Sequence, residues 1–256
     1  MNKKIKITVA VVLAIAIFGT GIFFGVRGMK MNEYKNADIT LPKAFTITAH
    51  TGCMNTVENS VESMEKGISN GADIIEFDVQ FLPDGTPVLA HDEPTGSESR
   101  LEFAFEFLAN HKDVKANVDI KATVNMPEIQ RLAEEYDVME QIFFTGVGDD
   151  FVDAVKTGCP DISCYLNVSV EKAKAKDREY LEHLVEKVKN AGAVGINFNY
   201  ESATKELVDV FHENGLLVSI WTVNDKYNMY KVLSFAPDNI TTRNPDELSR
   251  IVKEFK

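Results

Sequence analysis

The chain is predicted to fold as an α/β protein of the TIM type: a closed (β/α)8 barrel with a small hairpin inserted after its second strand. Three observations lead there. From residue 43 onward, β-branched apolar runs alternate with amphipathic stretches, a pattern that calls for parallel strands joined by crossover helices. About eight such pairs occupy residues 43–256, the size of one barrel domain with no internal linker. An open doubly wound sheet is the runner-up, but no G-x-G-x-x-G follows the first strand, as such a sheet would carry.

The elements follow in order. AFTITAH (44–50) is the first strand. ENSVESMEKGISNGA (58–72) sets Val61, Met64 and Ile68 at helical spacing. DIIEFDVQ (73–80) is the second strand, and Pro83-Asp84-Gly85 with PVLAH (87–91) makes the hairpin. RLEFAFEFLAN (100–110) is helical and VKANVDIK (114–121) a strand. PEIQRLAEEYD (127–137) is a helix with proline in its first turn, where the missing N–H is not needed. QIFFTG (141–146), ISCYLNV (162–168), AVGINFN (193–199), LLVSIWTV (216–223) and DNITT (238–242) are strands. Helices over 149–158, 171–191, 202–214 and 225–235 separate them, and 245–256 closes the chain.

The first thirty residues are a different object. Lys3, Lys4 and Lys6 precede Ile7–Val26, a run without a single charge. As a helix, twenty residues span about 30 Å, the thickness of a bilayer core. No small-x-small cleavage site follows, which favours an uncleaved signal anchor over a cleaved signal peptide. The expected organisation is an anchor or signal over 1–30, a polar tether over 31–42 and the barrel over 43–256. The catalytic domain is then expected outside the cytoplasm, held to the cell membrane through residues 7–26, or secreted if the signal is removed.

Lys and Arg total 27 against 39 Asp and Glu, a net charge of −12, with 45% apolar and 26% charged residues. That is a globular composition. The acidic balance argues against a nucleic-acid partner, which would need a basic face. Three cysteines exclude a disulfide-stapled scaffold, although Cys159 and Cys164 could pair in an oxidising compartment.

In a barrel, chemistry gathers where strands end. Strand one ends at His50, strand two carries Glu76 and Asp78, the hairpin ends at His91-Asp92, and strand three carries Asp119 and Lys121. Glu76 and Asp78 lie two apart, so their side chains share one face. Buried together they repel unless a cation neutralises them, and hard oxygen donors suit Mg²⁺ or Ca²⁺. Asp119 could complete a three-carboxylate site with Lys121 beside it. His50 and His91 next to such a metal read as general acid and general base.

The residues also resemble a family. His50-Thr51-Gly52, Glu58-Asn59-Ser60, Gly71-Ala72-Asp73, Glu76-Phe77-Asp78-Val79, Asp84-Gly85-Thr86-Pro87-Val88 and His91-Asp92 follow, in order, the opening motifs of the glycerophosphodiester phosphodiesterases. NVDIK (117–121), WTVN (221–224) and ITTRNP (240–245) are similar to that family's later motifs. The resemblance implies a TIM-type barrel, a divalent metal held by Glu76, Asp78 and Asp119, and His50 and His91 as the acid–base pair. It implies hydrolysis of a small-molecule or lipid-derived phosphodiester of glycerol to glycerol phosphate and an alcohol. Lys121 would set a positive charge over the phosphate.

Two departures stand out. Thr51 occupies the place of the family's arginine, removing a planar phosphate clamp; Arg243, expected beside strand one, or Lys121 is the candidate to take over that contact. Asp119 stands where glutamate is usual, one methylene shorter. Glu58 and Asn59 are candidate braces through the family match, and Trp221 a candidate wall for the glycerol or head group. Two alternatives remain at this level: a lyase-like enzyme that cyclises a lysophospholipid head group, and a barrel that only binds a phosphorylated glycerol.

Overall fold

The structure, a computed structural model, describes residues 25–255. Among these residues eight parallel strands form the ring: β1 (Thr46–Ala49), β2 (Ile74–Phe81), β4 (Lys115–Ile120), β5 (Ile142–Val147), β6 (Cys164–Asn167), β7 (Gly195–Asn199), β8 (Leu217–Trp221) and β9 (Asn239–Thr242). β1 pairs with both β9 and β2, which closes the sheet on itself. The short β3 (Pro87–Leu89) runs antiparallel to the far end of β2, with Leu89 opposite Val79. The predicted barrel and its hairpin are both present.

Alternation along each strand sorts the two faces. Phe77 and Val118 are fully buried on the outer face, under the helices. The inner face is polar: Thr48, Asn117, Thr145, Asn197, Ser219, Asn239 and Thr241 are all buried. Several pair with one another, with Asn239 Nδ2 donating to Thr48 Oγ1 at 2.7 Å and Thr145 Oγ1 donating to Asn117 Oδ1 at 2.7 Å. The apolar core therefore lies between sheet and helices. Phe105, Phe144, Phe198 and Phe211 fill it without exposure.

The outer ring comprises α2 (Val61–Ser69), α3 (Leu101–Ala109), α4 (Met126–Glu135), α5 (Val152–Gly158), α6 (Arg178–Asn190), α7 (Lys205–Glu213), α8 (Lys226–Leu233) and α9 (Pro245–Val252). The lysine- and glutamate-rich stretch is shorter as a helix than the pattern over 171–191 suggests. Lys172–Lys174 forms a separate turn, and α6 starts only after Asp177, whose carboxylate accepts from Tyr180 N at 3.2 Å. An aspartate cap satisfies an otherwise orphan N–H and so fixes the start.

Residues 25–35 form a helix, α1. Arg27 Nη2 pairs with Asp225 Oδ1 at 2.8 Å, and Lys35 Nζ with Glu254 Oε2 at 2.8 Å. Met31 and Tyr34 pack against the barrel core. Part of the expected tether thus lies on the barrel, because its apolar side chains fall on one helical face. No helix among the described residues is long and apolar enough to cross a membrane. The apolar run expected to do so, 7–26, lies outside the described residues except for its last two.

Gly195 opens β7 beside the foot of β8, where an added Cβ would lie 2.1 Å from the Leu217 carbonyl oxygen. Gly195→Ala is expected to destabilise the barrel by about 2 kcal/mol through overpacking. A urea titration would show a lower midpoint at unchanged slope; an unchanged midpoint would show that β7 and β8 can part at no cost.

Candidate active site

The C-terminal ends of the strands open on a cavity of about 540 Å³, within the roughly 300–1,000 Å³ usual for small-molecule sites. His50, Glu58, Glu76, Asp78, His91, Asp119, Lys121, Trp221 and Arg243 all line it. Every site residue expected from the sequence therefore comes to one place.

The carboxylates are set by register. β2 and β4 pair in parallel with Asp78 opposite Asp119 and Glu76 opposite Asn117. Oxygens of Glu76, Asp78 and Asp119 lie within 4.8 Å of one another. Burial, reinforced by the charges of Asp78 and Asp119, raises the Glu76 pKa well above the usual carboxylate range. Burial also raises Asp119, against the pull of Lys121. Lys121 Nζ bridges Asp78 Oδ1 at 3.0 Å and Asp119 Oδ2 at 3.1 Å. Burial works against its charge, but the two aspartates outweigh that effect and hold its pKa above the ordinary lysine value.

One ammonium does not balance three carboxylates. Glu76 Oε1 and Asp119 Oδ1 are buried and have no hydrogen-bond partner, an arrangement that costs free energy as it stands. Orphaned hard oxygens converging on one point fit a divalent cation of the Mg²⁺ or Ca²⁺ kind. Gly146 gives this corner its room: its φ is +73°, and a Cβ would fall 2.1 Å from Asp119 Oδ1.

The segment after β1 braces the cluster. Thr51 N donates to Glu76 Oε2 at 2.7 Å. Asn59 holds Asp78 at two points, Nδ2 donating to Oδ2 at 3.0 Å and Oδ1 accepting from Asp78 N at 2.9 Å. The Thr51 hydroxyl accepts from Asn59 N. Asn59 has φ of +56°, a left-handed conformation that asparagine tolerates better than most residues. Thr51 is buried in this brace. Glu58 instead forms an ion pair with Arg243 Nη2 at the cavity rim.

His50 Nδ1 lies 2.8 Å from the Thr51 carbonyl oxygen. A carbonyl only accepts, so Nδ1 carries the proton and Nε2 the free lone pair when the ring is neutral. Burial, with Arg243 adding to it, lowers the His50 pKa despite that hydrogen bond. His91 Nδ1 lies 2.9 Å from Asp92 Oδ1 at the open mouth. Trp221 Nε1 is buried without a partner. Cys53, Cys159 and Cys164 are buried and unpaired, and burial pushes the Cys159 thiol up to about 12.

The model of the Glycerophosphoryl diester phosphodiesterase family matches residues 42–100 and 93–247. The chain belongs to that family. A glycerophosphodiester phosphodiesterase of Caldanaerobacter subterraneus subsp. tengcongensis is 23% identical over 246 residues, 81% of this chain and 98% of that protein. One from Bacillus altitudinis is 24% identical over 243 residues, 82% and 99% of the two chains. Among solved structures, a glycerophosphodiester phosphodiesterase of Parabacteroides distasonis superposes with a TM-score of 0.66 at 17% identity, covering 82% of this chain and 97% of the other. A phosphodiesterase of Oleispira antarctica, solved with its product sn-glycerol-3-phosphate, does so with 0.63 at 19% identity, covering 83% and 97%. These structures share the phosphodiesterase barrel fold.

Both histidines, Glu76 and Asp78 line the one cavity, while residue 51 serves the brace rather than the rim. The polar side chains that line the floor, Asn117, Thr145, Asn167, Asn197 and Thr241, were not among the sequence candidates. Their signal is the spacing of two from other inward residues, as in Asn117-x-Asp119. Asn59→Ala is expected to weaken Mg²⁺ or Ca²⁺ binding by roughly 10–100-fold, as loss of a partner behind a ligand usually does. Calorimetric titration of the purified chain would measure it; equal affinities would remove Asn59 from the support of Asp78.

Proposed function

We propose that this chain is a metal-dependent glycerophosphodiester phosphodiesterase, hydrolysing its substrate to glycerol phosphate and an alcohol. The observation that carries this reading is the cluster of Glu76, Asp78 and Asp119 with two orphaned buried oxygens, in one cavity with an oriented histidine. Glu76, Asp78 and Asp119 would hold the cation, which when bound supplies positive charge against the phosphoryl oxygens. Lys121 adds a fixed positive charge at the floor. His50, with its Nδ1 proton committed to the Thr51 carbonyl, presents Nε2 to take a proton from the attacking hydroxyl, water or a neighbouring glycerol oxygen. His91 at the mouth delivers a proton to the departing alkoxide. Trp221 Nε1 is a free donor for a substrate oxygen, and Arg243, drawn to the rim by Glu58, supplies the guanidinium that residue 51 lacks.

The same reading places the barrel outside the cytoplasm, anchored by residues 7–26. Its support is the uncharged run with Lys3, Lys4 and Lys6 before it.

After chelation, the full chain is expected to release glycerol phosphate from glycerophosphocholine only when Mg²⁺, Ca²⁺ or Mn²⁺ is restored. His50→Ala is expected to lower kcat by about 10²–10⁴-fold with an unchanged circular dichroism spectrum. Activity surviving both chelation and His50→Ala would refute the mechanism. A cyclic phosphate as the lasting product would assign attack to the glycerol hydroxyl and favour the lyase alternative.

A further inference from the structure

Among the described residues, four large apolar side chains of the barrel are exposed at one end and two, Val194 and Leu217, at the other. Val57 lies in the segment after β1 and Val61 at the start of α2. Phe103 is in the first turn of α3, and Val124 in the segment after β4. All four are on the face where the strands end. Val57 and Val124 are 71% and 67% exposed, which no folding requirement explains. The loops after β5, β6 and β7 instead expose charged residues: Asp149, Asp150, Glu171 and Glu201, with Lys172, Lys174 and Lys176. One arc of the catalytic face thus carries exposed apolar side chains beside Asp92 and Glu93, and the opposite arc exposes charged ones.

The second observation is where the apolar N-terminal run joins the barrel. Asp225, which caps the start of α8 just after β8, holds Arg27; Glu254, after α9, holds Lys35. Barrel helices start at the catalytic face and end at the opposite one, so α1 begins level with the catalytic face. Val26 and Met29, in its first turns, are exposed there. Residues 7–24, eighteen without a charge, connect at this end.

We infer that the catalytic face is the membrane-facing surface, with Val57, Val61, Phe103 and Val124 resting in the lipid interface, so that the enzyme takes lipid-borne glycerophosphodiesters as substrates. This rests on the anchor proposed above and adds its orientation. Side chains of this kind enter the boundary between headgroups and acyl chains and gain from burying apolar area. The net charge of −12 gives no attraction to anionic lipid, so the contact is apolar and suits a zwitterionic surface. A cavity mouth turned to the bilayer receives a phosphodiester at headgroup depth.

The full chain would be placed in phosphatidylcholine vesicles with a fluorophore on Phe103→Cys, Val124→Cys or, at the opposite end of the barrel, Val194→Cys. Flotation with the vesicles and quenching by headgroup-depth spin-labelled lipid at 103 and 124 but not at 194 is the expected result. Flotation without quenching at 103 and 124 overturns the orientation and leaves the anchor standing. Failure to float overturns both. Protection of 103 and 124 in a dimer instead assigns the face to a second copy and also overturns it. In parallel, Val57→Ser, Phe103→Ser and Val124→Ser combined should cut hydrolysis of lysophosphatidylcholine in those vesicles on the order of tenfold. Hydrolysis of dissolved glycerophosphocholine should be unchanged. An equal change on both substrates, or on neither, counts against the inference.

Discussion

Three carboxylates buried around one point are the constraint on which the rest of this structure depends. Like charges in a low-dielectric cavity repel, and each loses its hydration. The chain answers with a backbone N–H to Glu76, a two-point amide grip on Asp78 and an ammonium between Asp78 and Asp119. Even so, the raised pKa values of Glu76 and Asp119 mean that the folded state holds its protons more tightly than the unfolded chain. Ionising these groups as pH rises above the ordinary carboxylate range therefore lowers stability. A bound cation reverses that sign, because it favours the ionised form. The site is built as one half of an electrostatic pair.

That constraint explains the segment after β1. Position 51 is buried. Here a threonine turns inward and its hydroxyl accepts the N–H of Asn59, while its own N–H goes to Glu76. The segment is thereby locked to two metal-ligand candidates at once. Guanidinium charge is still present at the mouth, but it comes from the other neighbour of β1: Arg243 follows β9 and reaches Glu58 across the rim. Barrel closure between β1 and β9 makes this exchange of positions geometrically available. A guanidinium on a different strand end meets the cavity from a different side.

Much of this was legible in the sequence, for identifiable reasons. Strand–helix alternation is a period signal, and it located every strand of the ring to within a few residues. Glu76-x-Asp78 and Asp119-x-Lys121 announced a shared face because strand periodicity is two. What stayed hidden depends on contacts between distant positions. Asn59 and Glu58 are both brace candidates, but nothing local indicates that Asn59 grips Asp78 while Glu58 turns to Arg243; the left-handed turn at Asn59 lies between them. Nor does periodicity reveal that 171–191 breaks before Asp177, since charged residues suit a turn as well as a helix. The docking of α1 was masked by polar composition: Met31 and Tyr34 are too few to read as a core face until Arg27 and Lys35 find Asp225 and Glu254.

The polar interior of the ring follows from the same economy of charge. Barrel interiors are usually filled with branched aliphatic side chains, whereas this one carries amides and hydroxyls from floor to site. An aliphatic floor would lower the local dielectric under Glu76 and Asp119 and deepen their repulsion. Asn117, opposite Glu76 in register, and Thr145, which donates to it, are instead dipoles beneath the charged cluster. Asn197 Nδ2 donating to Asn167 Oδ1 at 3.1 Å extends this floor across β6 and β7. Apolar stabilisation is left to the sheet–helix layer, where Phe77, Phe144 and Phe198 are fully buried. Stability and chemistry thus occupy opposite faces of the same strands, so residues on one face can change with little consequence for the other.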